Sequence, residues 1–198
     1  MAKVPGKRQL SSDAKKALIL VKSLELFRKY GYEKITVSDI CKECNVNVGT
    51  IYHFFGSKLG ILQALSERIA DSSGFEEKVN ELVSDPYAAI RDFLLEYAKR
   101  WEMLGADLTV QFFKNFQQIY ISPTASGTTD FESVTKLTRF IKAAQEAGKF
   151  DPSADPKKTA DLIMLIGRGV VYDWCMQNGA YNLSDKALEV MEFTGFKN

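Results

Sequence analysis

The chain has 198 residues, of which 45% are hydrophobic and 26% charged, a composition typical of folded globular proteins with one large or two small domains. No apolar run approaches the roughly 18 residues of a membrane span, and the charged N-terminus lacks an apolar signal segment, so we expect neither a membrane-bound nor an exported protein. The net charge is only +1, but residues 1–70 hold 12 Lys and Arg against 6 Asp and Glu, whereas residues 71–198 hold 14 against 19. This asymmetry, unless it arises by chance, indicates a polyanion-binding surface near the N-terminus.

Apolar residues recur at helical spacing over most of the chain, and the alternation typical of strands is absent. The first predicted helix covers residues 12–30, where Ser11 or Ser12 caps its start and Gly31 ends it. A helix that begins at Ser57 and runs toward Gly74 connects two predicted domains, residues 1–56 and residues 57–198. We therefore predict an all-α protein of nine to ten helices, in which the others cover residues 37–44, 48–54, 86–104, 106–121, 130–147, 154–178 and 184–193.

The stretch from Thr36 to Lys58 carries the clearest functional pattern. Thr36 and Asp39 resemble a capping box at the start of one short helix, and Asn47 is a suitable N-cap for a second one after a brief turn. Two short helices joined in this way and packed on a longer first helix form a helix-turn-helix, whose second helix can enter the major groove of DNA. On that second helix, hydrogen-bonding side chains face outward and Ile51 faces the core; the outward ones are Thr50, Tyr52 and His53.

The same stretch resembles the signature of the tetracycline-repressor (TetR) family. Residues 31–40, Gly-Tyr-Glu-Lys-Ile-Thr-Val-Ser-Asp-Ile, and residues 46–58, Val-Asn-Val-Gly-Thr-Ile-Tyr-His-Phe-Phe-Gly-Ser-Lys, agree with it in order, spacing and residue type. The resemblance covers residues 12–65, and beyond residue 70 it extends only to the number and order of helices. It implies an all-helical homodimer, with an N-terminal DNA-binding domain of three helices and a C-terminal helical bundle for ligand binding and dimerisation.

The resemblance also implies roles for individual residues. Thr36 and Lys58 are expected to contact phosphates, and Val48 is expected to approach the bases through its methyl groups. Phe54 and Gly56 replace the commoner His and charged residue, so base readout is expected to rely on thymine methyl groups and on DNA shape. An alternative is that some of the polar residues only cap or pack the helices. The predicted DNA-binding residues are Thr36, Asn47, Val48, Gly49, Thr50, Tyr52, His53 and Lys58.

Other chemistry has little support in the sequence. Cys41 and Cys44 form a CxxC pair, which alone cannot complete a four-ligand zinc site. The two cysteines therefore either replace small apolar residues or act as a redox switch. The chain has one histidine, and no paired carboxylates or nucleophile motif accompanies it. We predict a protein that is not an enzyme and that needs no cofactor and no metal.

The C-terminal domain has two predicted consecutive helices that are rich in aromatic residues. These residues form either the core of the bundle or the wall of an apolar pocket, of the kind that helical bundles build between helices. The effector would then be an apolar or aromatic small molecule. The predicted ligand-binding residues are Tyr97, Trp101, Phe112, Phe113, Phe116 and Tyr120.

The predicted helix over residues 154–178 is apolar over a wider arc than one packing face needs, which indicates either internal burial or a dimer seam. Two glycines on it, Gly167 and Gly169, allow another helix to approach closely. The resemblance implies that the last long helices of each subunit form a four-helix dimer interface. The predicted interface residues are Ile163, Ile166, Gly167, Val170 and Trp174.

Together these features predict a cytoplasmic repressor that binds double-stranded DNA at an inverted-repeat operator and has no membrane partner. A ligand that binds the DNA-free form more tightly would release it from DNA, with Gly60 and residues 71–74 as flexible points. Two alternatives stay open. One is a DNA-binding regulator controlled by a protein partner, and the other is an all-helical carrier of apolar ligands that does not bind DNA.

Overall fold

The computed structural model describes residues 11–70, 84–115 and 129–193. All regular secondary structure in these ranges is helical, which confirms the predicted all-α class. Two compact units divide the chain after Leu65, so the division lies inside the fourth helix instead of at Gly56. None of the described helices is both long and apolar enough to cross a membrane. The helices are α1 (Ser12–Tyr30), α2 (Val37–Cys44), α3 (Val48–Phe55), α4 (Lys58–Ala70), α5 (Pro86–Leu104), α6 (Ala106–Lys114), α7 (Thr129–Glu146), α8 (Pro156–Met176) and α9 (Leu183–Phe193).

The predicted helix boundaries agree with the observed ones to within a few residues. Of the two predicted caps for α1, Ser11 is the one used, since its hydroxyl accepts a hydrogen bond from the Ala14 amide at 3.2 Å. Gly31 ends α1 with a φ of 85°, a backbone conformation that side chains with a Cβ rarely adopt. The part of the predicted helix beyond residue 115 and the predicted joint at residues 71–74 lie outside the described residues.

The core of the first unit comes from the inward faces of α1, α2 and α3. Phe27 of α1 and Tyr32, just after it, pack with ring centroids 5.0 Å apart, and both are buried. Ile40 of α2 and Ile51 of α3 are fully buried beside them in this unit. Burial of one such side chain stabilises a fold by about 1.5–3 kcal/mol, so these residues fix the positions of the two short helices.

In the second unit, α8 packs against α5, α6, α7 and α9, and α9 also packs on α5. Gly167 permits the close approach of α8 to α5, because a Cβ at this position would lie 3.0 Å from the Leu94 Cδ2 atom. Ile163 and Trp174 are only 2% and 6% exposed. These three residues were predicted to contact a second subunit, and this stays a prediction; within the single chain they face the core of their own unit.

Glu102 of α5 holds the start of α9. Its carboxylate accepts hydrogen bonds from the amides of Leu183, at 2.7 Å, and Ser184, at 3.2 Å, and from the Ser184 hydroxyl at 2.7 Å. The first amides of a helix have no partner within the helix, so this carboxylate from a distant segment satisfies donors that would otherwise need water. A negative charge at this end of a helix is also favoured by the helix dipole.

We therefore predict that Glu102→Ala lowers the free energy of unfolding by about 1–3 kcal/mol, because it leaves two partly buried amides and a hydroxyl without their acceptor. Urea denaturation followed by circular dichroism measures this change. The control is Glu96→Ala on the same helix, where the carboxylate forms an exposed ion pair with Lys99 and its loss costs at most about 1 kcal/mol. Equal destabilisation by the two variants would contradict the role given to Glu102.

Candidate functional sites

The start of α2 is fixed by a reciprocal pair of hydrogen bonds. The Asp39 amide donates to the Thr36 hydroxyl oxygen at 3.2 Å, and the Thr36 amide donates to the Asp39 carboxylate at 3.0 Å. The Thr36 hydroxyl also donates to that carboxylate at 2.6 Å. These hydrogen bonds from Thr36 lower the pKa of Asp39. The predicted capping box is thus confirmed, and Thr36 stays exposed, as a phosphate contact requires.

The start of α3 is fixed in a similar way. Asn45 ends α2 in the left-handed region, with a φ of 52°, and turns the chain toward α3. The Asn47 side-chain oxygen then accepts hydrogen bonds from the Thr50 amide at 2.8 Å and from the Thr50 hydroxyl at 2.9 Å. Asn47 is therefore the predicted N-cap, and the Thr50 hydroxyl is bound within the cap. Because these two side chains are bonded to each other, their role in this structure is to position α3.

The outer face of α3 consists of exposed side chains of mixed chemistry. Val48 is 44% exposed and Tyr52 54% exposed, whereas Ile51 on the opposite face is fully buried. Gly49 and His53 are exposed on the same outer face. This surface offers methyl groups, an aromatic ring, a phenol hydroxyl and an imidazole, which are groups that can contact base edges in a major groove.

Lys58 packs against the connection between α1 and α2. Its ammonium group donates to the backbone carbonyls of Tyr32 and Ile35, both at 3.0 Å, and lies 4.2 Å from the centroid of the Tyr32 ring. The side chain is half-buried, and it ties the start of α4 to the connection between α1 and α2. The phosphate contact of Lys58 stays a prediction, and without DNA its ammonium group is surrounded by carbonyl oxygens and an aromatic face.

Gly60 lies where α4 meets the end of α3. A Cβ at this position would fall 1.8 Å from the Phe55 carbonyl oxygen and 2.9 Å from its carbonyl carbon. Ser57 supports the same junction, because its hydroxyl oxygen accepts a hydrogen bond from the Gly60 amide at 3.0 Å. The sequence suggested Gly60 as a flexible point, but the structure shows a close backbone contact that only glycine allows.

The two cysteines of the CxxC pair are buried. Cys41 and Cys44 are free thiols, each 7% exposed. Burial raises the pKa of both, and that of Cys44 reaches about 11, so the reactive thiolate is scarce near neutral pH. In the part of the chain that the structure describes, no group of His, Cys, Asp and Glu side chains is arranged to hold a metal ion. These observations favour the apolar interpretation of the two cysteines.

Four of the predicted ligand-binding residues form one packed aromatic cluster. Trp101 is fully buried, and its ring lies 5.9 Å from that of Tyr97, 5.1 Å from that of Phe112 and 5.5 Å from that of Phe113. The cluster brings together α5 and α6, as the sequence predicted. The other two predicted residues, Phe116 and Tyr120, lie outside the described residues.

A narrow apolar cleft lies between α5, α8 and α9. About 270 Å³ of free space lies between its walls, and this volume includes open solvent. Tyr97 is the member of the aromatic cluster that lines it, and the predicted dimer residues Ile166, Gly167 and Val170 line it as well. Ile166 and Val170 are half-buried, so two of the predicted interface residues do lie near the surface of the second unit.

The exposed face of α8 carries an apolar stripe that the prediction had placed on other residues. Leu162, Leu165, Tyr172 and Met176 are 56%, 60%, 55% and 57% exposed, and Gly169 is exposed between them. Their spacing alternates between three and four residues, which keeps all of them along one line of the helix. We call these five residues the α8 stripe: Leu162, Leu165, Gly169, Tyr172 and Met176.

Comparison with known proteins shows which family the first unit resembles. Residues 19–65 match the sequence pattern of "Bacterial regulatory proteins, tetR family". The regulator CecR of Shigella flexneri, named an HTH-type transcriptional dual regulator, is 32% identical over 66% of this chain and 64% of its own length. Residues 19–65 therefore form a tetR-family domain. The HTH-type transcriptional regulator UidR of Escherichia coli is 24% identical over 83% of this chain and 84% of its own length.

A solved structure extends the likeness in fold to the second unit. Thermus thermophilus FadR, described as a TetR-family transcriptional repressor in complex with lauroyl-CoA, superposes with a TM-score of 0.63, covering 89% of this chain and 92% of that one at 21% identity. The residues that match the tetR family pattern include α2, α3 and Gly60.

The close contact between Gly60 and Phe55 leads to a prediction about the stability of the first unit. Gly60→Ala should lower the free energy of unfolding by at least about 2 kcal/mol, because the new Cβ collides with backbone atoms of Phe55 and not with a flexible side chain. Thermal and urea unfolding measure the effect. Gly49→Ala is the matched control, since its Cβ would meet the Asn47 oxygen at an ordinary 3.4 Å and should leave stability unchanged or higher. Full stability of the Gly60 variant would refute the close contact.

Proposed function

We propose that this tetR-family protein is a transcriptional repressor that binds an operator through the outer face of α3. The observation that carries the proposal is the arrangement of α3, in which Val48, Tyr52 and His53 are exposed opposite the buried Ile51. Both short helices are capped by side chains, so this face is presented by a rigid frame. The protein acts by binding and not by catalysis, and its place is the cytoplasm, where the DNA is.

The chemistry of α3 favours a particular kind of readout. Val48 and the ring of Tyr52 suit thymine methyl groups, and His53 and the Tyr52 hydroxyl can bond to base edges or phosphates. Asn47 and Thr50 bind each other, so they position the helix and contribute little direct readout. The excess of Lys and Arg over residues 1–70 attracts the phosphates of DNA. This attraction does not depend on the DNA sequence.

We further propose that the protein is a homodimer and that the α8 stripe is part of its interface. Gly169 supports this, because it is exposed in the middle of a long helix and a Cβ there would meet nothing within 4 Å. Glycine in such a position costs about 1 kcal/mol relative to alanine, and its own unit gives no reason for it. A partner helix that crosses at Gly169 provides the reason. A two-fold dimer then binds an inverted repeat with half-sites about 34–36 Å apart.

The regulating signal in this proposal is a small apolar or aromatic molecule bound by the second unit. The aromatic cluster supports it, and so does the structurally similar Thermus thermophilus FadR, which holds lauroyl-CoA within the same fold. Release from DNA requires that the ligand bind the DNA-free form more tightly, and the operator then weakens ligand binding by the same factor.

DNA binding is tested by selecting genomic fragments with the purified protein at about 0.15 M salt, where non-specific binding is weak. We expect a short inverted repeat to be enriched. The double variant Tyr52→Ala/His53→Ala should bind it at least about tenfold more weakly, because it loses the outward side chains and keeps both caps. Tyr87→Ala is the control, since it removes an equally exposed tyrosine, 42% exposed, from the second unit. Equal retention by the double variant and the wild type would overturn the proposal.

Dimerisation is tested with Leu165→Glu, which places a charge in the middle of the α8 stripe. Because a buried unpaired carboxylate is costly, this variant should be monomeric at micromolar concentration in sedimentation velocity. Met103→Glu is the control, because Met103 is 55% exposed but lies on α5. A Leu165 variant that remains a dimer as tight as the Met103 variant would show that the interface lies elsewhere.

A further inference from the structure

The helix α3 carries no permanently charged side chain. Its sequence, Val48–Phe55, contains no lysine, arginine, aspartate or glutamate, and His53 in the last turn is the one side chain of the helix that can become a cation. His53 is also the only histidine of the chain, and it is exposed. Tyrosine, the other titratable residue type on α3, is uncharged near pH 7. The charge that α3 presents therefore depends on one imidazole, a group that ordinarily titrates between about pH 6 and pH 7.

The imidazole of His53 is open to a partner outside the protein. Within the described residues it has no hydrogen bond and no ion pair, and its ring packs on that of Phe54 with the centroids 5.3 Å apart. Other polar side chains at the two ends of α3 differ from it in this respect. Asn47 and Thr50 bind each other, and the ammonium group of Lys58 donates to backbone carbonyls. Both ring nitrogens of His53 therefore remain for DNA.

The charged groups of α2, the short helix that packs against α3, have partners of their own. The Asp39 carboxylate lies 4.0 Å from the Lys42 ammonium group. The Glu43 carboxylate lies 3.6 Å from the Lys22 ammonium group of α1. Within the described residues neither carboxylate pairs with His53, so the negative charge that would hold an imidazolium has to come from outside the protein.

DNA supplies this negative charge. A duplex carries one phosphate charge about every 1.7 Å along its axis, and guanine presents two acceptors, O6 and N7, in the major groove. An imidazolium donates from both ring nitrogens, whereas a neutral imidazole donates from one and accepts at the other. We propose that His53 binds DNA as an imidazolium, so that each α3 takes up a proton on binding and the affinity for DNA rises as the pH falls. This inference rests on the proposed function, since it concerns how the same face of α3 is regulated.

The direction of the effect follows from linkage. The complex holds more protons than the free protein and the free DNA together, so a higher proton concentration favours the complex. Well below the range in which histidine titrates, the free protein is already charged at His53, and the affinity then stops changing. A hydrogen bond from an ionised donor is about twice as strong as one from a neutral donor. For a dimer with one His53 on each α3, we expect an affinity at least about fivefold higher at pH 6 than at pH 8.

The test measures fluorescence anisotropy of labelled duplexes with the full chain at about pH 6 and about pH 8, at constant ionic strength. One duplex carries the inverted repeat enriched by genomic selection at either pH, and the other has a scrambled sequence. His53→Gln keeps a polar side chain that cannot be protonated, so it should bind with the same affinity at both pH values. His53→Lys carries a permanent charge and should also lose the pH dependence. Tyr52→Phe is the matched control on the same face, and it should keep the wild-type ratio of affinities.

Calorimetry counts the proton directly. Binding heats measured at about pH 7 in buffers of different ionisation enthalpy should show an uptake of up to about one proton per subunit, which His53→Gln removes. Replacement of the guanines of the repeat by 7-deazaguanine distinguishes the two acceptors, because it removes N7 and leaves the phosphates unchanged. Loss of the pH effect identifies a guanine edge as the partner of His53, and its persistence identifies a phosphate.

Two results would overturn the inference alone: a wild-type affinity for the repeat that is equal at both pH values, or a pH dependence that survives His53→Gln. The second result would place the proton elsewhere, for example on the α-amino group of the chain. No binding to either duplex at either pH would reject the proposed function, and the inference with it. Circular dichroism of each variant at both pH values shows whether the fold is unchanged, so that an altered affinity reports on DNA contact.

Discussion

The position of α3 depends on one half-buried polar contact, in which the ammonium group of Lys58 donates to the carbonyls of Tyr32 and Ile35. Both oxygens belong to the short connection between α1 and α2, where the Tyr32 carbonyl also accepts a hydrogen bond from the Ile35 amide at 3.3 Å. A lysine that donates to both and lies on the Tyr32 ring joins the start of α4 to that connection. The Phe55 carbonyl against Gly60 joins the same helix to the end of α3. Together these contacts fix α3 between its cap and the start of α4, so the exposed face of α3 is held in a defined position relative to that helix start.

The local features of the first unit could be predicted from the sequence because their causes are local. A capping hydroxyl or amide three residues before its target, a glycine at a helix end and an apolar face at helical spacing each act within a few residues. Thr36 with Asp39 and Asn47 with Thr50 therefore have the predicted partners. The same reasoning placed Ile51 inside and Tyr52 outside. The family resemblance supplied the remaining step, from a capped pair of short helices to DNA.

The contacts that could not be predicted join residues far apart in the chain. Nothing near Lys58 in the sequence indicates that its ammonium group bonds to carbonyls more than twenty positions earlier, since a lysine at a helix start is equally suited to phosphate. The pairing of Glu102 with the start of α9 spans eighty residues and is equally hidden. On α8 the apolar residues extend around much of the helix, so periodicity could not tell the face that meets α5 from the face that meets solvent.

The inward and outward apolar faces of α8 have different roles in the second unit. The inward face, with Gly167 against α5, sets the packing of a single subunit, and the outward α8 stripe adds nothing to it. A stripe of exposed leucine, tyrosine and methionine with a glycine at its centre lowers the stability and solubility of an isolated subunit. In a dimer the same residues become buried, and folding stability then rises with protein concentration by mass action. The cleft lined by Ile166 and Val170 lies between α5 and α8, so the helix that carries Tyr97 and Trp101 of the aromatic cluster packs directly on the helix that carries the α8 stripe. A ligand that shifts α5 would therefore act on the proposed dimer surface through α8 alone.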